Sequence, residues 1–180
     1  MPTTRLIAVL AVTLALTGPA SASELPCPCP APVRGTADLV RMSRADLEAL
    51  YRSADIGTIP AGSTRGVAIY KPGTRITVPA SRAVHVLWKG KVFRDDGTMI
   101  NRTFAGRAIT AKMYLAESWL DGRPSLILDY FETSRLFWEA RDEQREVAPG
   151  IYLGITYLRK CPEPELAMFY ALDSRPLLHR

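Results

Sequence analysis

The chain has 180 residues, 23 Lys and Arg against 18 Asp and Glu, a net charge of +5, and 47% hydrophobic residues. That apolar share is enough for a real core and excludes a disordered chain. The positive charges are scattered, which excludes the concentrated basic face of a nucleic-acid reader.

The first residues read as an export signal. Arg5 is the positive n-region, Leu6 to Leu16 the apolar h-region, and Ala20-Ser21-Ala22 an Ala-x-Ala cleavage site. The apolar run is short for a membrane span. Cleavage after Ala22 leaves 180 − 22 = 158 residues with a charge of (23 − 1) − 18 = +4. The expected location is secreted or periplasmic, with weak attraction to anionic membrane surfaces. Residues 23–36 form a Pro-rich leader carrying Pro26, Pro28, Pro30 and Pro32, and residues 37–180 the folded domain. Of the three cysteines, Cys27 or Cys29 is expected to pair with Cys161 in an oxidising compartment. A lipid-modified Cys27 and a Cys-x-Cys metal site rank behind it, the latter for want of further ligands.

Ser43 followed by Asp46 is a capping-box pattern, and Leu47, Leu50, Tyr51 and Ala54 form an apolar stripe before Gly57 and Pro60 stop the helix. This helix is expected to pack on one end of a barrel. Strands are predicted at Gly66–Tyr70, weakly at Arg75–Val78 before Pro79, at Ala83–Phe93, and after the Asp95-Asp96-Gly97-Thr98 turn at Met99–Phe104. Gly106–Trp119 leads into a tight Asp121-Gly122 hairpin and a strand at Ser125–Phe131. Ser134 then caps a predicted helix with Leu136, Phe137, Ala140, Gln144 and Val147 on one side. On that reading Arg141-Asp142-Glu143-Gln144-Arg145-Glu146 is mostly a solvated face, and Arg135 pairs with Glu139. Pro149-Gly150 opens a strand at Ile151–Leu158, and Ala167–Leu172 is the last.

In Ser125–Phe131, Leu126, Leu128 and Tyr130 share one face and Ile127, Asp129 and Phe131 the other. Asp129 sits between two large hydrophobes, where an unpaired carboxylate costs several kcal/mol. An ion pair with Arg107 or Arg141, or backbone hydrogen bonds, would relieve it. The alternative is a pocket carboxylate or general base. About eight strands with few helices argue for a barrel or sandwich. Eight closed strands leave room for side chains or one small ligand.

Trp88-Lys89-Gly90-Lys91-Val92-Phe93 resembles a stretch of the small bacterial proteins named for a Gly-x-Trp-x-Gly motif, within the wider lipocalin-like (calycin) group. Val86 stands where the first glycine would be. The likeness runs loosely through Arg107–Tyr114 and Asp129-Tyr130-Phe131, covering about residues 84 to 172. It implies a lipocalin-like antiparallel β-barrel, with an N-terminal helix and one helix before the last two strands, binding a small apolar ligand. Trp88 and Gly90 read as structural, a ring filling a barrel end and a glycine allowing close approach.

The expected pocket is lined by Trp88, Tyr114, Asp129, Phe131 and Tyr152, with Asp129 fixing orientation. His85 and His179 are the only histidines, too few for a catalytic zinc, and no metal or cofactor is expected. His85 alternates with Leu87 on its predicted strand, and a haem site would need only one such residue. No Gly-x-Ser-x-Gly, phosphate-binding glycine loop or His-Glu-x-x-His occurs. The expected function is an exported carrier of a small hydrophobic molecule. Two alternatives stand beside it: an enzyme on a small apolar substrate with Asp129 as acid or base, and an envelope structural or interaction protein with a filled barrel.

Overall fold

The computed structural model describes residues 32–104 and 109–176. The export signal, Cys27, Cys29, Arg107 and His179 therefore lie outside the described residues. The described strands are β1 (Gly62–Ser63), β2 (Arg65–Ile69), β3 (Trp88–Phe93), β4 (Thr98–Thr103), β5 (Ile109–Glu117), β6 (Pro124–Asp129), β7 (Ala140–Ala148), β8 (Ile151–Leu158) and β9 (Glu165–Asp173). Three helices accompany them: α1 (Thr36–Val40), α2 (Arg44–Ser53) and α3 (Thr77–Leu87).

The strands form one antiparallel sheet in the order β1-β3-β4-β5-β6-β7-β8-β9-β2. From β3 to β9 the chain is a meander, which alone would leave two open edges with unpaired backbone groups. The segment holding β1 and β2 removes them. β1 pairs with β3, and after Thr64 the same segment crosses to pair with β9 as β2. The result is a nearly closed barrel of nine strands, one more than expected because β1 and β7 are added and the strand expected at Arg75–Val78 is absent.

The seam depends on two glycines. Gly90, at φ 126°, follows a register shift between Trp88 and Gly90, and a Cβ there would lie 2.3 Å from the Thr64 carbonyl oxygen. Across from it, a Cβ on Gly66 would strike the Trp88 ring at 2.5 Å. The glycine of the Trp-x-Gly motif thus allows the closing segment to approach β3. α3 links the end of β2 to the start of β3.

Side chains alternate between two cores. Inside the barrel lie Phe93, Met99, Ala111, Leu126, Leu128, Tyr130, Tyr152, Tyr170 and Leu172. Outside, Ile151, Leu153, Ile155, Tyr157, Phe169 and Ala171 pack against Leu39 of α1 and Leu47 and Tyr51 of α2. Ser43 caps α2 with the predicted capping box: its side chain accepts from the Asp46 N–H and its own N–H donates to the Asp46 carboxylate, both at 3.2 Å. The helix covers the outer wall at β7 and β8, with α1 against β9, rather than a barrel end.

Three sequence expectations are corrected. The stretch from Thr77 to Leu87 is helical where Arg75–Val78 and the start of Ala83–Phe93 were expected as strands. Pro79 sits in the first turn, where no intrahelical bond is lost, and Thr77 Oγ1 donates to the Lys71 carbonyl at 2.6 Å. His85 accordingly lies on α3, not on a strand. The helix expected from Ser134 to Val147 is a turn followed by β7, and Glu139 pairs with Lys160 rather than Arg135. The Asp121-Gly122 turn is longer than a tight hairpin, because pairing ends at Glu117 opposite Pro124.

The most surprising strand is β7. Arg141, Asp142, Glu143, Gln144 and Arg145 are each at most 4% exposed. Such burial is affordable only with full pairing. On the outer face Arg145 uses all five guanidinium hydrogens. Nε donates to Pro124 O, Nη1 to Tyr51 O and Asp121 Oδ2, and Nη2 to Asp121 Oδ1 and Arg123 O, at 2.7–3.1 Å. The guanidinium also lies 4.5 Å from the Tyr51 ring centroid. Glu143 accepts from Ser118, from the Trp119 N–H at 2.8 Å and from Arg141, whose guanidinium lies 4.2 Å from the Trp119 ring centroid.

Two predictions test the seam and its charges. Gly90→Ala adds a Cβ at a conformation and distance that both exclude it, so urea unfolding should show a loss of more than about 2 kcal/mol, or no folded protein. Asp173 is pushed up by burial but more strongly down by hydrogen bonds from Arg175 and Arg65, to about 2. A carboxyl held below its unfolded value of about 3.9 stabilises the fold above that pH. This contribution, at most about 3 kcal/mol, is lost as pH falls from about 4 toward 2. Asp173→Asn should flatten that part of the stability curve.

Candidate functional site

A cavity of about 380 Å³ opens at the end of the barrel where β3 begins and β4 ends. Its walls carry Ala68, Val84, Ile109, Leu158 and Met168, and Leu87 and Phe137, 66% and 40% exposed, stand at its mouth. α3 contributes Val84 and Leu87, so the helix that fills the connection from β2 to β3 also forms part of the rim. Deeper in the barrel Phe93, Met99, Leu126, Tyr152 and Leu172 fill the interior. Between hollow and filled parts lies a polar floor.

Lys91 is the centre of that floor and only 2% exposed. Its ammonium donates to Asp142 Oδ2 at 2.8 Å, to the Tyr130 hydroxyl at 3.0 Å and to Asn101 Oδ1 at 3.1 Å. Tyr130 in turn donates to Asp142 Oδ2 at 2.9 Å and accepts from Asn101 Nδ2 at 2.9 Å. Thr156 donates to Asp142 Oδ1 at 2.6 Å, and Trp88 Nε1 to Asn101 Oδ1 at 2.9 Å. The Lys91 nitrogen also sits 4.9 Å from the Tyr170 ring centroid, with the Trp88 and Tyr130 rings at 5.5 and 5.7 Å. Burial lowers the Lys91 amine below its ordinary range, and the Asp142 carboxylate offsets this only in part. Burial beside Asp142 holds the Tyr130 phenol well above its ordinary value, so it remains a donor.

These groups come from distant places in the chain. β3 supplies Lys91, β4 Asn101, the end of β6 Tyr130, β7 Asp142 and β8 Thr156. Each points inward because alternation puts it on the same face as Phe93, Met99, Leu128, Ala140 and Leu158 respectively. One step deeper on β7, Gln144 accepts from the Tyr170 hydroxyl at 3.2 Å, and its buried Nε2 has no partner among the described residues.

Of the five residues expected to line a pocket, Trp88 lines the cavity. Tyr152 lies in the filled part, its hydroxyl donating to the Thr58 carbonyl at 2.7 Å. Tyr114, Asp129 and Phe131 are together but lie away from the cavity. Tyr114 donates to Asp129 at 2.7 Å, the Phe131 N–H donates to Asp129 at 2.9 Å, and Phe131 is 57% exposed. Arg159 holds both Asp129 oxygens at 2.8 Å. Burial raises the Asp129 pKa, but the Phe131 N–H, Tyr114 and Arg159 together bring it below the usual carboxylate range. The expectation of an arginine partner holds with a different arginine. Arg141 stands opposite Asp129 in register but turns its guanidinium to Glu143 and the Glu117 carbonyl. Cys161 is exposed and has no disulfide partner among the described residues, Cys27 and Cys29 lying outside them.

Sequence reasoning missed Lys91, Asn101, Tyr130, Asp142 and Thr156 as site residues. Asp142 was recoverable by reading the charged run with period two, which separates Asp142 and Gln144 from Arg141, Glu143 and Arg145. The Lys91–Asp142 pair gives a direct prediction. Lys91→Met or Asp142→Asn alone strands a buried partner and should cost about 3–5 kcal/mol in denaturant unfolding. Lys91→Met combined with Asp142→Asn should cost clearly less than the sum of the two single losses. Strict additivity would contradict the coupling.

No protein-family model matches the chain, and no curated protein matches it. A crystal structure of a protein from Thermomonospora curvata is similar at 18% identity over 76% of this chain and 90% of that one, with a TM-score of 0.49.

Proposed function

We propose that this protein is an exported, lipocalin-like β-barrel carrier that holds a small hydrophobic molecule in the cavity at its open end. The observation that carries the reading is a cavity of about 380 Å³ with a nearly all-apolar wall in a barrel that is otherwise filled. Its size falls in the ~300–1,000 Å³ range of small-molecule sites. Exposed Leu87, Phe104, Leu136 and Phe137 lie on the segments at that same end, a concentration of apolar side chains that favours passage of a lipophile. In this reading Trp88, Ile109, Leu158 and Met168 touch the ligand, while Tyr152 supports the floor from below. Asp129 is engaged by Arg159 and has no catalytic part in it. The secreted or periplasmic location rests on the Arg5, Leu6–Leu16 and Ala20-Ser21-Ala22 pattern. Weak attraction of the basic chain to anionic headgroups fits the same setting.

An uncharged fluorophore, N-phenyl-naphthylamine, should bind saturably at about one per chain and brighten on binding. Ala140→Phe, which places a ring in the cavity, should weaken binding at least about tenfold, or about 1.4 kcal/mol. Trp119→Phe, away from the cavity, should not. Absence of saturable binding, or equal binding by Ala140→Phe, would contradict the proposal.

A further inference from the structure

The polar floor specifies what kind of lipophile the cavity takes. An ammonium has three hydrogens, and those of Lys91 have three acceptors. The Asn101 amide donates to Tyr130 and to the Ile109 carbonyl. Tyr130 and Thr156 donate to Asp142, Trp88 to Asn101, and Tyr170 to Gln144. Thr103, also on the wall, is not free either. Among the described residues every side-chain donor that lines the cavity is therefore committed, the unpartnered Gln144 Nε2 lying deeper and off the lining, and the Lys91 cation is balanced by a single carboxylate at 2.8 Å.

What remains is accepting capacity. Among the described residues Asp142 Oδ1 takes one hydrogen bond, from Thr156, and Thr156 Oγ1 gives its hydrogen away while its lone pairs receive none. A carboxylate entering this cavity would lose its hydration and meet neither an unbalanced cation nor a spare donor. An ammonium would meet Asp142 only beside the Lys91 charge. A hydroxyl has somewhere to donate. Resting on the carrier reading, we infer that the cavity selects an uncharged lipophile whose polar end, where it has one, is a hydrogen-bond donor such as a hydroxyl, and rejects fatty-acid carboxylates.

The test is displacement of N-phenyl-naphthylamine from the full chain by decanol, its methyl ether, decanoate and decylamine at pH 7.5. Decanol should bind at least about tenfold tighter than decanoate or decylamine, and a few-fold tighter than the ether, which lacks the donor. Asp142→Asn leaves Lys91 unbalanced and should reverse the order of decanol and decanoate. If that variant does not fold, the wild-type ranking alone decides. Decanoate binding as tightly as decanol would overturn the inference and leave the carrier reading standing. Failure of the fluorophore itself to bind would sink both.

Discussion

A strand of charged residues in the middle of a barrel wall is the constraint on which the rest of this structure depends. Each ion of β7 loses its water, a cost of several kcal/mol, and recovers it only when partners from elsewhere in the chain arrive in the right geometry. Arg145 recruits the β5–β6 turn through Asp121 and the Arg123 and Pro124 carbonyls, and α2 through the Tyr51 carbonyl. Glu143 gathers Ser118, the Trp119 N–H and Arg141. Asp142 on the inner face gathers Lys91, Tyr130 and Thr156. Strand register is fixed by these contacts as firmly as by hydrophobic burial, since a one-residue slip would exchange the two sets of ions.

This explains the division of the interior. Large rings and aliphatic chains fill the end of the barrel where β7 finishes, and the ionic layer at Asp142 and Lys91 stops that packing from continuing to the mouth. Above it the wall is mainly apolar, so the hollow has a polar base and apolar sides. The seam glycines Gly66 and Gly90 belong to the same arrangement. Their missing side chains let the closing segment lie against β3, where Lys91 begins its inward reach.

Much of the frame was legible in the sequence because it is local. The Ser43–Asp46 capping box, the turn before Thr98, Pro149-Gly150 and the alternation of Ser125–Phe131 are all written in neighbouring residues. The barrel class followed from them. Two elements were misread for physical reasons. In Arg141–Glu146 the ions look solvated because their partners, from Lys91 to Thr156, are far away in sequence. In Thr77–Leu87 the β-branched residues favour a strand, and the contacts that hold the helix at the rim are again non-local. The site suffered most. Trp88 stood out through its Trp-x-Gly likeness, and its ring lines the cavity. Asp129 looked important for a sound reason, its apolar flanks, yet its requirement is met by Arg159 at 2.8 Å outside the cavity.

The central claim is that the cavity is occupied in the protein's working state. Native mass spectrometry of the mature chain, purified from its own export compartment, tests this most directly. The account predicts an added mass of one small lipophile per chain that disappears on denaturation. A bare chain mass, with no uptake from a total lipid extract, would contradict it.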